Sequence, residues 1–205
     1  MDAMTKAALK VLYQRLGLWG AIQVIGGVVW RQIKGAPFSG WPKAEHKRER
    51  ESRKQLGPAV LVYRVLLTRY PRPYALEVTT DVVAASGRVF LSQVLSALDI
   101  DHLISLPEAQ RSDYLTPILS PIPNALFTLQ FDEDNRVHFT VKSCRFVGLC
   151  AELGHPELAT LFCAVDDHFF RHDLPQINLQ RDTTIAHGGE CCPFILSLSA
   201  TSDDQ

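Results

Sequence analysis

The chain has 205 residues, enough for one large domain, or a domain with a helical extension, that buries a substantial core. Its 21 lysines and arginines offset 22 aspartates and glutamates for a formal net charge of −1, and no basic stripe interleaved with aromatics occurs, so nothing points to nucleic acid as a partner. With 46% hydrophobic residues, the composition is that of a globular protein rather than a disordered chain or a membrane bundle.

In chain order, apolar positions at Ala3, Ala7, Val11 and Leu12 predict a helix over residues 3–15. The apolar run Leu16 to Trp30 is shorter than the ~20 residues a bilayer span needs, and Gln23 and several glycines interrupt it. It reads as a packed helix or flap, with no stable membrane insertion and peripheral membrane contact as the lesser option. A turn-rich joint, Pro37 to Pro42, ends this N-terminal helical extension of residues 1–42. Residues 43–200 are then expected to form a single α+β domain. The mixed-sign run Lys43 to Lys54 has Glu49 and Arg53, and Lys47 and Glu51, at i,i+4, which predicts a solvated helix laced with weak ion pairs. Gly57-Pro58 is expected to open a new helix reaching Tyr70. A further helix spans Tyr74 to Leu98, and Pro107 to Pro123 allows a short helix at most.

At Ala125 the period changes to two. Phe127, Leu129 and Phe131, then Val137, Phe139 and Val141, alternate with polar neighbours around the polar turn Asp132 to Arg136, which predicts a β-hairpin. Helices follow over Cys144–Leu153 and Pro156–His172, and strands over Ile177–Arg181 and Phe194–Ser199. The tail, residues 201–205, is expected to be disordered. The fold class is α+β: an N-terminal helical half followed by a small antiparallel sheet packed with helices.

Five cysteines (Cys144, Cys150, Cys163, Cys191 and Cys192) occur with no CxxC pair and no secretory signal, which predicts reduced thiols in the cytoplasm. Cys144 and Cys150 read as small buried residues. Cys163 and Asp166 share a helix face at i,i+3, so a thiol and a carboxylate project together as nucleophile and base, or as metal ligands, unless Asp166 is simply exposed and Cys163 buried. His168 and His172 stand at i,i+4 but lack a glutamate between them, which argues against a metal pair. The densest polar segment is Arg181-Asp-Thr-Thr-Ile-Ala-His-Gly-Gly-Glu-Cys-Cys-Pro-Phe194. It reads either as the wall of a small-molecule site or as a plain hairpin turning at Gly188-Gly189. On a strand, Cys191 and Cys192 point to opposite faces, so one of them at most lines a given pocket. No ligand spacing for a structural metal is present, and no metal or cofactor is expected.

The pattern Cys144 … Leu153-Gly … Cys163-x-x-Asp166 … Arg181-x-Thr-Thr-Ile-Ala-x-Gly188-x-Glu-x-Cys192-x-Phe194 resembles the L-2-amino-thiazoline-4-carboxylic acid hydrolase family. The similarity extends over roughly residues 45–200 and is densest over 163–194. A more distant similarity links the closing Gly-x-x-x-Cys-x-Phe element to 4-vinyl-reductase-type ligand-binding domains of bacterial sensors. In those domains a Glu and a Cys before the final Cys help bind zinc; Arg181 to Thr184 offers neither ligand.

The resemblance implies a ring-opening reaction. Water adds at the amidine-like carbon between sulfur and nitrogen, and the C–N bond breaks to give S-carbamoyl-cysteine. It implies Cys192 or Cys163 as a thiolate nucleophile, or Asp166 as the base that activates water, with His187 as proton donor. Arg181 would grip a substrate carboxylate, with Thr184, Gly188 and Glu190 as further substrate-binding residues. Two departures qualify this. The family's acidic residue after the last cysteine is Pro193 here, and the first acidic residue after its glycine is Gly189. The reading is therefore a hydrolase-like enzyme acting on a small heterocycle, amide or amidine. Alternatives are a non-hydrolytic enzyme of specialised metabolism on the same fold and a non-catalytic small-molecule-binding domain. The partner is a small-molecule substrate. The oligomeric state stays open, a homodimer among the options.

Overall fold

Among the described residues of a computed structural model, 1–132, 136–175 and 177–198, the first 119 supply five helices and no strand. They are α1 (Ala3–Ile33), α2 (Lys47–Leu67), α3 (Arg72–Val94), α4 (Ile100–Ser105) and α5 (Glu108–Leu119). The hairpin β1 (Ala125–Phe131) and β2 (Val137–Cys144) follows, then α6 (Arg145–Glu152), α7 (Leu158–His172), β3 (Ile177–Gln180) and β4 (Cys192–Leu198). The architecture is α+β, helices first. The expected turn at Asp132 to Arg136 falls partly, and the tail at 201–205 wholly, outside the described residues.

Helix α1 takes both expected N-terminal segments into one element, broken only at Gly17. Asp2 caps it, Oδ1 accepting from the Thr5 N–H at 2.8 Å. Its inner face (Leu12, Ala21 and Val24) joins the same core as Val60, Tyr63, Val78 and Leu149 from α2, α3 and α6.

Four sequence expectations are corrected. Gly57-Pro58 opens no helix, because α2 runs through it. Pro58 faces solvent, where the carbonyl it leaves unpaired is open to water, while Leu56, Gly57 and Val60 are buried on the other side. That burial outweighs the roughly 3 kcal/mol an internal proline costs. The charged run is also less solvated than its spacing suggests. Glu49 pairs with Arg53, but Glu51 reaches Arg50 and Lys54 instead of Lys47. Arg48 donates to the Ala125 carbonyl at 2.7 Å, and the Arg53 guanidinium lies 5.1 Å over the Trp41 ring. Finally, the proline-rich passage holds the twelve-residue α5, and the helix expected to reach Leu98 ends at Val94 in a short 3₁₀ turn.

The sheet is antiparallel throughout, in the order β1-β2-β4-β3. Pairing sets Phe139 opposite Phe194 and Val141 opposite Cys192. Alternation therefore turns Val137, Phe139 and Val141 of β2, and Cys192 and Phe194 of β4, toward the helices. All five are buried. Pro193 lies opposite Thr140, beyond the end of β3, so β4 pairs there on one side only and tolerates a proline.

Candidate functional site

A cavity of about 190 Å³ lies between the inner face of the sheet and helices α3, α4, α5 and α7. That is larger than the ~150 Å³ that admits benzene. Most of its wall is aliphatic or aromatic, with Phe90 and Leu91 from α3, Leu103 and Leu115 from α4 and α5, and Phe139 and Phe194 from the sheet. Polar side chains are few. Cys163, Asp166, Arg181, Cys192, Cys144, Asn124 and Gln55 supply nearly all of them.

The central polar groups, Cys163, Asp166, Arg181 and Cys192, come from α7, β4 and the loop that precedes β4. Helix α7 carries Cys163 and Asp166 one turn apart on its cavity side, while Asp167 points outward and is exposed. Strand β4 places Cys192, and the loop from Arg181 to Cys191 supplies Arg181. It folds around Thr184, whose carbonyl accepts from the N–H groups of His187 and Gly189, both at 3.0 Å. Gly188 closes the turn at φ 89°, a left-handed conformation that suits glycine. The Ile185 N–H then donates to Cys192 Sγ at 3.2 Å. The connection between β3 and β4 is thus a long structured loop, and no two-residue Gly188-Gly189 turn occurs. A Cβ at Gly189 would press on Thr183 Oγ1 and lie 3.1 Å from the Thr184 carbonyl oxygen.

Arg181 is the hub. Its side chain is only 4% exposed, and its guanidinium donates to Asp166 Oδ2 at 2.9 Å, Asp167 Oδ2 at 2.7 Å and the Cys163 carbonyl at 2.8 Å. The same guanidinium stacks 4.8 Å from the centre of the Phe194 ring. Burial pushes the Asp166 carboxyl up to about 6, although Arg181 pulls the other way. Burial lowers and the two carboxylates raise Arg181, and the carboxylates win.

Three thiols, Cys150, Cys163 and Cys192, are held in their protonated form. Burial drives Cys163 up to about 11 against the hydrogen bond from Thr184, and Cys150 up to about 12. Cys192 is raised by burial too, with the Ile185 N–H opposing. None has the electropositive, open setting that makes a thiolate at neutral pH.

The remaining candidates lie elsewhere. His187, Gly188 and Glu190 are exposed and do not line the cavity. Thr184 is buried and joins the inside to the outside, its Oγ1 lying 2.7 Å from His187 Nδ1 and its side chain bonding Cys163. Three cavity residues escaped the sequence reading as polar lining. Cys144 accepts from Asn124 Nδ2 at 3.5 Å, and Gln55 has a buried Oε1 with no hydrogen-bond partner among the described residues. Only the helical period of α2 could have flagged Gln55, since it falls one turn before Ala59 on a buried face. The His168 and His172 rings stack 4.4 Å apart on α7, and no three His, Cys, Asp or Glu side chains converge as a metal site among the described residues.

Comparison with solved structures gives low-similarity matches across nearly the whole chain. An H-NOX protein from S. oneidensis in the Fe(II)NO state is 18% identical, with 97% of this chain and 99% of that chain covered and a TM-score of 0.39. An unliganded Fe(II) H-NOX protein from K. algicida is 12% identical, with 98% of each chain covered and a TM-score of 0.41. No curated protein matches. The family profile of L-2-amino-thiazoline-4-carboxylic acid hydrolase matches residues 50–196, which include α7, the Thr184 loop and nearly all of β4. With more than half of its length matched, the chain belongs to the L-2-amino-thiazoline-4-carboxylic acid hydrolase family.

Proposed function

We propose that the chain is a hydrolase that opens a cyclic C–N bond, or cleaves an amide or amidine, in a small substrate with an apolar body, and that Asp166 is its general base. One observation carries this reading. A carboxyl pushed up to about 6 stands at the polar end of a cavity whose other walls are apolar. A base titrating near the working pH both accepts a proton readily and is mostly ionised when needed. Asp166 takes a proton from water as the water oxygen bonds to the carbon between the heteroatoms. The C–N bond then breaks, and the departing nitrogen takes up a proton. Thr184 bonds both His187 and the cavity-lining Cys163, which offers a path for that proton from His187.

The protonated states of Cys163 and Cys192 favour roles as hydrogen-bond donors and shape-setting walls over nucleophiles. Arg181 is already balanced by two carboxylates, which favours a role in orienting Asp166 over gripping a substrate carboxylate. The test is a panel of thiazolines, cyclic amidines and amides carrying successively larger apolar substituents, with products read by mass. Gain of one water by some member, lost by about 10²- to 10⁴-fold in Asp166→Asn, is the expected result. A second reading, a non-catalytic binding domain, draws on the protonated thiols. Under it the panel binds and no member gains water. A mass change other than water would instead support non-hydrolytic chemistry.

A further inference from the structure

Six large apolar side chains of α1 stand in solvent. Leu18, Trp19, Ile22, Val29, Trp30 and Ile33 are each between 47% and 76% exposed. At about 100° per residue they fall within an arc of about 120°. The arc points away from Ala21 and Val24, which are buried against the core. Gly26, in the middle of the stripe, has open space around it. Single exposed apolar residues are ordinary, but six aligned on one ridge form a surface that a partner covers.

The charge around this ridge selects the partner. From Ala3 to Ala44 the chain has six lysines and arginines and no carboxylate, although the whole chain nets −1. Arg15 is held by Glu77 and Asp81. Lys6, Lys10, Lys34 and Lys43 are exposed, and none has an ion pair among the described residues. At the end of the stripe, Lys34 Nζ lies 4.4 Å over the Trp30 ring.

We propose that this ridge rests on an anionic lipid bilayer surface, with Trp19 and Trp30 seated at the headgroup level and Lys34, beside Trp30, above it. Tryptophan has an apolar ring with a polar N–H and favours that boundary, and a helix that is apolar on one side and basic beyond it lies in the interface plane. A second copy of the chain is the poorer occupant. A two-fold contact would set this cationic segment against its own copy, and the segment offers no carboxylate to meet it. No described helix is long and apolar enough to cross a membrane, so the contact is adsorption to one leaflet.

Flotation of the full chain with phosphatidylcholine vesicles, with and without about 30 mol% phosphatidylserine, tests this. The protein is expected to float with the anionic vesicles, to shift its tryptophan emission to the blue, and to release in high salt. Trp19→Ser with Trp30→Ser should lower the partition coefficient at least about tenfold. Lys34→Gln, which leaves the tryptophans in place, should lower it about fivefold. Absence of binding to either vesicle overturns the proposal, as does partitioning that none of these changes affects. A concentration-dependent dimer that the tryptophan variant abolishes, with no vesicle binding by the native chain, would assign the ridge to a second copy instead.

Discussion

Buried Arg181 and half-buried Asp166 form an ion pair whose value lies in positioning more than in stability. Taking both charges out of water costs much of what their attraction returns. The sign follows from the raised carboxyl. Folding favours protonated Asp166, so its contribution is fully present below the ordinary carboxylate range near pH 4 and is lost as pH rises through about 6. Relative to Asp166→Asn, the native protein should therefore lose thermal stability between about pH 4 and pH 7. Unfolding midpoints of the two proteins across that range check it, and parallel curves would refute it. Arg181→Lys keeps one charge but not the fork that reaches Asp166, Asp167 and the Cys163 carbonyl together. It should raise the Asp166 midpoint, read by carboxyl NMR titration. Among the cysteines, Cys192→Ser and Cys163→Ser should each retain activity within about tenfold, because neither thiol is ionised at neutral pH. A fall of a thousandfold or more in either would make that thiol the nucleophile.

At the scale of elements, α3 and α7 meet so closely that one glycine sets their distance. A Cβ on Gly87 would stand 2.7 and 2.8 Å from the two Val165 methyls, and Gly87 also lines the cavity. Gly87→Ala should cost about 1–3 kcal/mol in denaturant unfolding and narrow the cavity. A neutral result would mean that the two helices part easily. The turn between α6 and α7 is fixed by Gly154, with the His155 N–H donating to the Cys150 carbonyl at 2.9 Å. Arg64 holds the same turn through the Leu153 carbonyl and the His155 ring. These contacts aim α7, and hence Asp166, at the sheet. Sequence patterning made α6, α7 and the hairpin legible because their apolar periods are clean over Phe127 to Val141, Phe146 to Cys150 and Leu158 to Phe170. It misread Gly57-Pro58 because a local breaker was overruled by tertiary burial on one side of α2. It missed the length of α5 because Pro117 falls in the last turn, where it removes one bond, to the carbonyl of exposed Asp113, and the helix ends two residues later.

For the whole molecule, the sequence shows which residue types are present but not which way they face. The spacing of Cys163, Asp166, Arg181 and Cys192 was visible, and these four line one cavity. His187, Gly188 and Glu190 belong to the same motif, yet they lie outside, because the loop curls around Thr184 rather than running straight into β4. The apolar character of the cavity was also hidden. Its walls come from α3, α4, α5 and the sheet, which no local window of sequence joins. That character predicts that affinity rises as apolar substituents are added to a substrate, about fourfold per buried methylene, until the cavity is full. Calorimetry on a homologous series measures it. A preference for the smallest, most polar members would contradict a largely apolar binding site.

The most direct test of the account is the pH dependence of kcat/KM for a hydrolysed member of the panel. Asp166 as general base predicts an acid limb that falls tenfold per pH unit below about 6, and the residual turnover of Asp166→Asn should lack that limb. A limb near pH 8 to 9 that vanishes in Cys192→Ser, with Asp166→Asn still active, would contradict it and assign the chemistry to the thiol.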